Sequence, residues 1–332
     1  MSIEVSVIIP TRNRRAWLRR ALEACWKQTY PASRFEVIVM DNLSSDGTTE
    51  MMRELEALSP CRLVYHVNKE NRGPGPSRNG GARIAQGRVL AFCDDDCCPA
   101  PEWLEHGARA FDDPDIHFAN GPVRYWPEQA RQARFFSRYG HEVNQENPLY
   151  SWSNSFFLRA TFLEMGGTDE SLCLADFLDR VVDCGDTDLC WRMREKGYRN
   201  MFVPGALVYH ELETMKPLNW VMEPLRLFNV PLLAARHPGL RRELFFGGLF
   251  FNLANVYFYL AVLGLVLGAA VHPAAFALAG PKLLWCLKVL QPWSSPARWL
   301  KFPVQAALVV ARQACFIVAL WYGSFRFRSV VL

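Results

Sequence analysis

The sequence predicts an α/β protein, a mostly parallel sheet with helices on both faces, followed by a C-terminal transmembrane helical region. Three observations carry that expectation. Strand-like and helix-like segments alternate four times between Val5 and Cys93, the pattern of strands joined by crossover helices. Polar clusters close three of those strands: Thr11-Arg12-Asn13, Asp41-Asn42 and Asp94-Asp95-Asp96. The stretch from Phe245 to Val271 carries no charged side chain.

Each element follows from its residues. Val5 to Ile9 is a short β-branched run, the mark of a buried strand, and Pro10 to Asn13 ends it. Trp17, Ala21, Ala24, Cys25 and Gln28 then recur at helical spacing. Phe35 to Met40 is a second strand, Ser44 to Gly47 a turn, and Thr48 to Leu58 a helix. Arg62 to Val67 is a third strand, and a helix opens at Pro76 and ends near Gly87. Val89 to Cys93 is a fourth strand. From Pro101 to about His210 the pattern loosens. Asp186 to Gly197 is an amphipathic helix stopped by its glycine, and Tyr198 to Tyr209 is strand-like.

Three consecutive carboxylates at a strand end repel one another and resist burial. A divalent cation with a bound diphosphate would compensate them, because hard cations take carboxylate oxygens; a solvated acidic turn is the competing reading. Ligands of such sheets bind at the carboxyl ends of the strands, and there the other polar clusters gather. Gly-x-Gly-x-x-Gly is absent after the first strand, while Asp41 ends the second, where it suits a base or ribose. A nucleotide whose diphosphate meets metal rather than a glycine-rich loop fits this pattern. Asp186 also has a plain helix-capping reading.

Net charge is +4 over 332 residues, with 50% apolar and 21% charged. No Lys/Arg block resembles a nucleic-acid-binding arm, so no nucleic-acid partner is expected. Met1-Ser-Ile-Glu4 runs directly into a strand without a secretory signal, so this region is expected in the reducing cytoplasm. The ten cysteines are then small core residues, with zinc the lesser reading, because no paired CxxC spacing exists.

Leu249 to Val271 is long enough to span a bilayer, which needs roughly 20 apolar residues; Asn252 and Asn255 are its strongly polar side chains. Pro273 to Leu290, with Lys282 and Lys288, and Phe302 to Phe325, with Arg312, are further spans or in-plane helices. A mid-span arginine costs about 2.5–3.5 kcal/mol. Leu218 to Leu240 suits an interfacial helix. Arg241 and Arg242 favour a cytoplasmic N-terminal side. Arg326 and Arg328 join it if the number of spans is even. The expected domains are 1–215, an interfacial linker 216–243, and a membrane region 244–332.

Four blocks together resemble family 2 glycosyltransferases of the GT-A fold. They are Val5 to Asn13, Glu36 to Gly47, Asn79 to Arg83 with Asp94 to Asp96, and Gly185 to Arg192. The resemblance covers roughly the first two thirds of the chain, to about His210. The membrane tail is similar to that of bacterial members that build surface polysaccharide or glycolipid. The resemblance implies a Rossmann-like GT-A sheet and inverting sugar transfer from a nucleotide-sugar donor. The acceptor would be lipid-linked or polysaccharide, at the cytoplasmic membrane face with membrane lipid as partner, and the metal Mg²⁺ or Mn²⁺. It places Pro10, Thr11, Arg12 and Asp41 on the nucleotide. Asp94 and Asp95 fall on ribose and metal, and Asp96 most directly on the metal. His210 falls on metal or diphosphate, with a neutral core histidine as the alternative. Asp186 becomes the catalytic base. Trp152 and Asn154 fall on the acceptor side, with packing the stronger prior for Trp152. Asp188 joins that side, and with Asp183 it keeps the base assignment open. Family members often carry Glu-Asp where this chain has Gly185-Asp186. Sugar transfer onto polyprenyl phosphate, nucleotidyl transfer and a catalytically silent membrane scaffold remain as alternatives.

Overall fold

The computed structural model describes residues 2–138 and 142–332. The chain divides into two compact units, Met1–Ala175 with Val181–Thr214, and Asp176–Arg180 with Met215–Leu332.

The first unit opens with β1 (Val5–Thr11), α1 (Arg15–Cys25), β2 (Phe35–Asp41), α2 (Thr48–Glu56), β3 (Arg62–Val67), α3 (Pro74–Ile84) and β4 (Val89–Phe92). It continues through β5 (Cys97–Pro99), α4 (Trp103–Arg109), β6 (Ile116–Asn120), β7 (Val123–Tyr125), α5 (Pro127–Arg131), β8 (Ser155–Leu158) and α6 (Arg159–Glu164). It closes with β9 (Cys173–Ala175), β10 (Val181–Asp183), α7 (Gly185–Glu195), β11 (Arg199–Phe202) and β12 (Val208–His210). The main sheet has seven strands in the order β11-β6-β8-β4-β1-β2-β3. Strands β3, β2, β1 and β4 are all parallel, and β8 enters antiparallel between β4 and β6.

Successive strand side chains point to opposite faces. Val5, Val7 and Ile9 of β1 and Val37 and Val39 of β2 therefore join one core with Leu18, Leu22 and Cys25 of α1 and Met51, Met52 and Leu55 of α2. Ile8 and Met40 face the other way, toward α3. That helix lies so close that a Cβ on Gly81 would sit 2.6 Å from Ile8. The tight approach explains the Gly80-Gly81 pair.

Several elements depart from the sequence reading. Helix α3 starts at Pro74, and α2 ends at Glu56. The strand-like stretch 198–209 is two strands in different sheets: β11 edges the main sheet, and β12 sits between β5 and β7 in a three-stranded sheet. The segment expected as one interfacial helix is broken into α8 (Pro217–Met222), a 3₁₀ turn at Glu223–Asn229, α9 (Val230–Arg236) and α10 (Pro238–Leu244). Pro224, Pro231 and Pro238 each fall in the first turn of a piece, where a missing N–H is tolerated, whereas mid-helix it is not.

In the second unit α11 (Leu253–Ala270), α12 (Gly280–Leu290) and α13 (Pro296–Phe327) follow. Among the described residues, three helical stretches are long and apolar enough to cross a membrane: Leu253–Ala270, Pro273–Ser294 and Pro296–Phe327. The two asparagines at the start of α11 have separate roles. Asn252 caps α11 by accepting from Asn255 N–H at 3.0 Å, and Asn255 accepts from Gln313. Arg312 is paired with Glu223 at 2.9 Å and also bonds the Trp220 carbonyl. The chain end returns to the start of α11, where Leu332 and the Leu249–Phe251 segment exchange backbone bonds of 2.8 and 2.9 Å.

Candidate active site

The three carboxylates occupy the turn between β4 and β5, and two arginines neutralise them. Arg14 reaches Asp95 Oδ1 at 3.0 Å and Asp96 Oδ2 at 2.7 Å. Arg78, 5% exposed, reaches Asp94 Oδ1 at 2.6 Å and Asp183 Oδ2 at 2.8 Å. The hydroxyls of Thr11 and Ser153 donate to Asp95 and Asp94, each at 2.8 Å. Burial pushes Asp95 up to about 6, against the pull of Arg14. Burial would also raise Asp94, but Arg78 and the Ser153 hydroxyl outweigh it and leave that carboxyl below its usual range. Burial disfavours the Arg14 cation too; Asp95 and Asp96 more than compensate and raise its pKa.

Asp186 stands in the first turn of α7, partly buried. Its Oδ1 accepts from the Thr187 N–H at 2.8 Å and its Oδ2 from the Trp152 N–H at 3.3 Å. Burial, then the charge of Asp183, pushes it up to about 7. The bond that steadies the helix start belongs to Asp183, which accepts from Gly185 N–H at 2.9 Å. Trp152 and Ser153 are adjacent, so one short segment holds Asp186 through its backbone and Asp94 through its side chain. Arg78 ties the same two regions from below.

His210 ends β12 and is buried. Its Nε2 lies 3.6 Å from Asp96 Oδ1, and its Nδ1 lies 2.8 Å from the Glu211 carbonyl. Donor atoms of Asp96, Cys97 and His210 all lie within 4.8 Å of one another. Carboxylate oxygen and imidazole nitrogen are a donor set that divalent first-row ions accept, so these residues fit a metal.

Thr11, Asp94, Asp95, Asp96, Asp186, His210 and Trp152 are thus linked by direct bonds and chain neighbours. Of the residues expected on the nucleotide, Pro10 and Thr11 of β1 lie opposite Met40 and Asp41 of β2, and Arg12 is exposed. Asp41 is fully buried; it accepts from Ser44 N–H at 2.8 Å and the Tyr65 hydroxyl at 2.5 Å. Two acceptor-side expectations meet a different environment. The Asn154 amide accepts from Trp103 and donates to the carbonyls of Pro122 and Ala206. Asp188, 1% exposed, pairs with Arg192 at 2.8 Å, which also holds the Met165 and Gly167 carbonyls. Both side chains brace the scaffold. Trp152 is 3% exposed and packs edge-on to Phe92 with Arg78 over its ring.

Sequence reasoning missed Arg14, Arg78 and Ser153. The available signal was the demand for positive charge near the three carboxylates; both arginines sit in or beside the blocks that close strands or open α3.

A mostly parallel sheet whose strand ends gather carboxylates, with a further carboxylate at the start of α7, has the frame of the GT-A fold. Residues 6–166 match the model of glycosyl transferase family 2, and over that region the chain is similar to the family. Glycosyltransferase AglE of Haloferax volcanii is 29% identical over 210 residues, 62% of this chain and 66% of AglE. A glucosyl-dolichyl phosphate glucuronosyltransferase of the same organism is 27% identical over 66% of this chain and 73% of its own length. The match to AglE therefore spans just under two thirds of that relative. Among solved structures, the mannosyltransferase PcManGT of Pyrobaculum calidifontis, in complex with GDP-Man and Mn²⁺, superposes with TM-score 0.62 at 18% identity, covering 98% of this chain and 88% of that one. S. aureus TarS 1–349 gives 0.52 at 17%, covering 98% and 91%. These likenesses concern the fold.

Proposed function

We propose that this chain transfers a sugar from a nucleotide-diphosphate sugar to a hydroxyl of a lipid-linked or polysaccharide acceptor, with inversion, at the cytoplasmic face of a membrane. One observation carries the reading: a carboxylate raised to about 7 is joined through Trp152 and Ser153 to the first of the strand-end carboxylates. A base poised near neutral pH combines the right protonation state with useful proton affinity.

Each group then has a task. Thr11 and Arg12 flank the nucleotide, with Pro10 and the buried Asp41 shaping the wall behind it. Asp94 and Asp95 face the ribose and diphosphate. A divalent ion, Mg²⁺ or Mn²⁺, held by Asp96 and His210 with Asp94 beside them, would supply Lewis-acid stabilisation of the departing diphosphate. Asp186 takes the acceptor hydroxyl's proton as its oxygen bonds the anomeric carbon. The bond from that carbon to the diphosphate breaks, and the nucleoside diphosphate leaves with the electron pair. Attack from the face opposite the leaving group inverts the anomeric centre.

The second unit supports a membrane setting for residues 244–332. Gly268 of α11 lies where a Cβ would come 2.5 Å from the Phe276 ring, so α11 and the stretch from Pro273 pack closely as a hairpin. Arg312 of α13 is paired with Glu223 of the charged interfacial segment, and the Gly323 Cβ position would lie 2.0 Å from the Phe228 carbonyl. We read α11 and 273–294 as two crossings and α13 as lying along the surface. That even count puts Arg241, Arg242, Arg326 and Arg328 on one side, the cytoplasmic side by the positive-inside rule. A membrane-held enzyme gains effective concentration toward a lipid-borne acceptor.

The test supplies detergent-solubilised protein with UDP-, GDP- and dTDP-sugars, a lipid extract and either metal. Label is followed from the sugar and, separately, from the nucleotide. Sugar label in a product of inverted anomeric configuration is the expected result. Nucleotide label in product would establish the nucleotidyltransferase alternative, and no product with any donor the silent scaffold.

A further inference from the structure

We infer that Cys97 is a third protein ligand of the metal site, giving it an oxygen, nitrogen and sulfur donor set that also takes borderline-soft ions such as Zn²⁺, Co²⁺ and Cd²⁺, beyond the Mg²⁺ or Mn²⁺ of the proposed reaction. The inference rests on the reading of Asp96 and His210 as metal ligands and specifies which further ions that site takes.

Strands β5 and β12 are antiparallel, with Cys97 directly opposite His210. Directly opposed residues project from the same face with neighbouring Cβ atoms, so the thiol and the imidazole share one side. Asp96 Oδ1 sits between them, 3.6 Å from His210 Nε2 and 3.8 Å from Cys97 Sγ. Ligand bonds of about 2.0–2.3 Å give a tetrahedron edge of about 3.5 Å by simple geometry. The observed separations therefore need only small shifts to close on one ion. The rest of each group is already committed. Asp96 Oδ2 holds Arg14 at 2.7 Å, which leaves Oδ1 on the side of the thiol and imidazole. A carbonyl only accepts, so the 2.8 Å contact with Glu211 makes His210 Nδ1 the protonated nitrogen and Nε2 the ligand atom, the outer contact typical of metal-bound histidine. Cys97 is fully buried, and three protein donors leave a fourth position for the donor's diphosphate. Thiolate is a soft ligand that selects zinc-like ions, whereas oxygen donors suit Mg²⁺ and Mn²⁺. On binding, the thiol proton leaves to solvent as the sulfur–metal bond forms.

The test titrates the full chain in detergent with Co²⁺ alone, reading visible d–d bands and the near-ultraviolet sulfur-to-cobalt charge-transfer band. Wild type should show both. Cys97→Ser, and Cys97→Ala as a second variant, should keep the d–d bands, lose the charge-transfer band and weaken Co²⁺ and Zn²⁺ binding at least about tenfold, with Mn²⁺ binding changed far less. Asp96→Ala should lose both signals. A d–d spectrum without the charge-transfer band in wild type, or a charge-transfer band that persists in both Cys97 variants, overturns the inference and leaves the metal site standing. No cobalt signal at all in wild type overturns both.

Discussion

Asp186 holds its place at a cost to stability, and that cost is measurable. Its pKa in the folded chain is about 7, against an ordinary 3.8, because burial and Asp183 disfavour its charge. Between those values the folded chain keeps a proton that the unfolded chain has released, so stability falls as pH rises through this window. Asp186→Asn should therefore raise the unfolding temperature at pH 8 and leave it unchanged near pH 3. In the same window kcat/KM of wild type should rise with pH and level off above about 7, the limb of a free-enzyme base. Arg78 gives a second test at this scale. Arg78→Met strands Asp94 and Asp183 without their countercharge; removing one partner of a buried pair costs about 3–5 kcal/mol. Because Arg78 also draws the Asp186 pKa down, the variant's limb should move to higher pH, a shift that scaffold damage alone does not produce. The carboxylates and their demand for positive charge were readable along the chain, but which arginine answers it was not: the partners of Arg78 are 16 and 105 residues away, and side-chain pairing at such range leaves no local pattern.

Among the elements, the start of α7 is the most constrained. A Cβ at Gly185 would lie 1.8 Å from Thr168 Oγ1 and 3.0 Å from Asp183 Oδ1. Thr168 thus fills space that a side chain at 185 would need, which accounts for the glycine at this position. Gly185→Ala should displace the first turn and Asp186 with it, lowering kcat roughly tenfold and stability by about 1–3 kcal/mol. Adding Thr168→Ala should restore much of both. A double-mutant cycle on melting temperature and kcat measures this coupling, and simple additivity would contradict it. The elements up to β4 were legible because β-branched runs and polar strand ends punctuate them. Beyond Pro101 the strands are only three to five residues long, too short for a period to register, and pairing with distant strands decides them.

For the whole molecule the membrane reading makes one decisive statement, that both ends of the region 249–332 lie on one side. An impermeant maleimide should label His272→Cys from the opposite side to Val330→Cys; labelling of both from the same side contradicts the two-crossing hairpin. The first apolar helix was legible from its lack of charge. The partner of Arg312 was not, because Arg312 reads as a mid-span cost until Glu223, far away in sequence, is found beside it.

The central claim is base-catalysed sugar transfer, and one paired assay tests it most directly. Wild type and Asp186→Asn are compared for nucleoside diphosphate release with the accepted donor, metal and lipid extract, while calorimetry records nucleoside diphosphate binding by each. The account predicts turnover at least about 100-fold lower in the variant with binding intact. Equal release by the two proteins would contradict it.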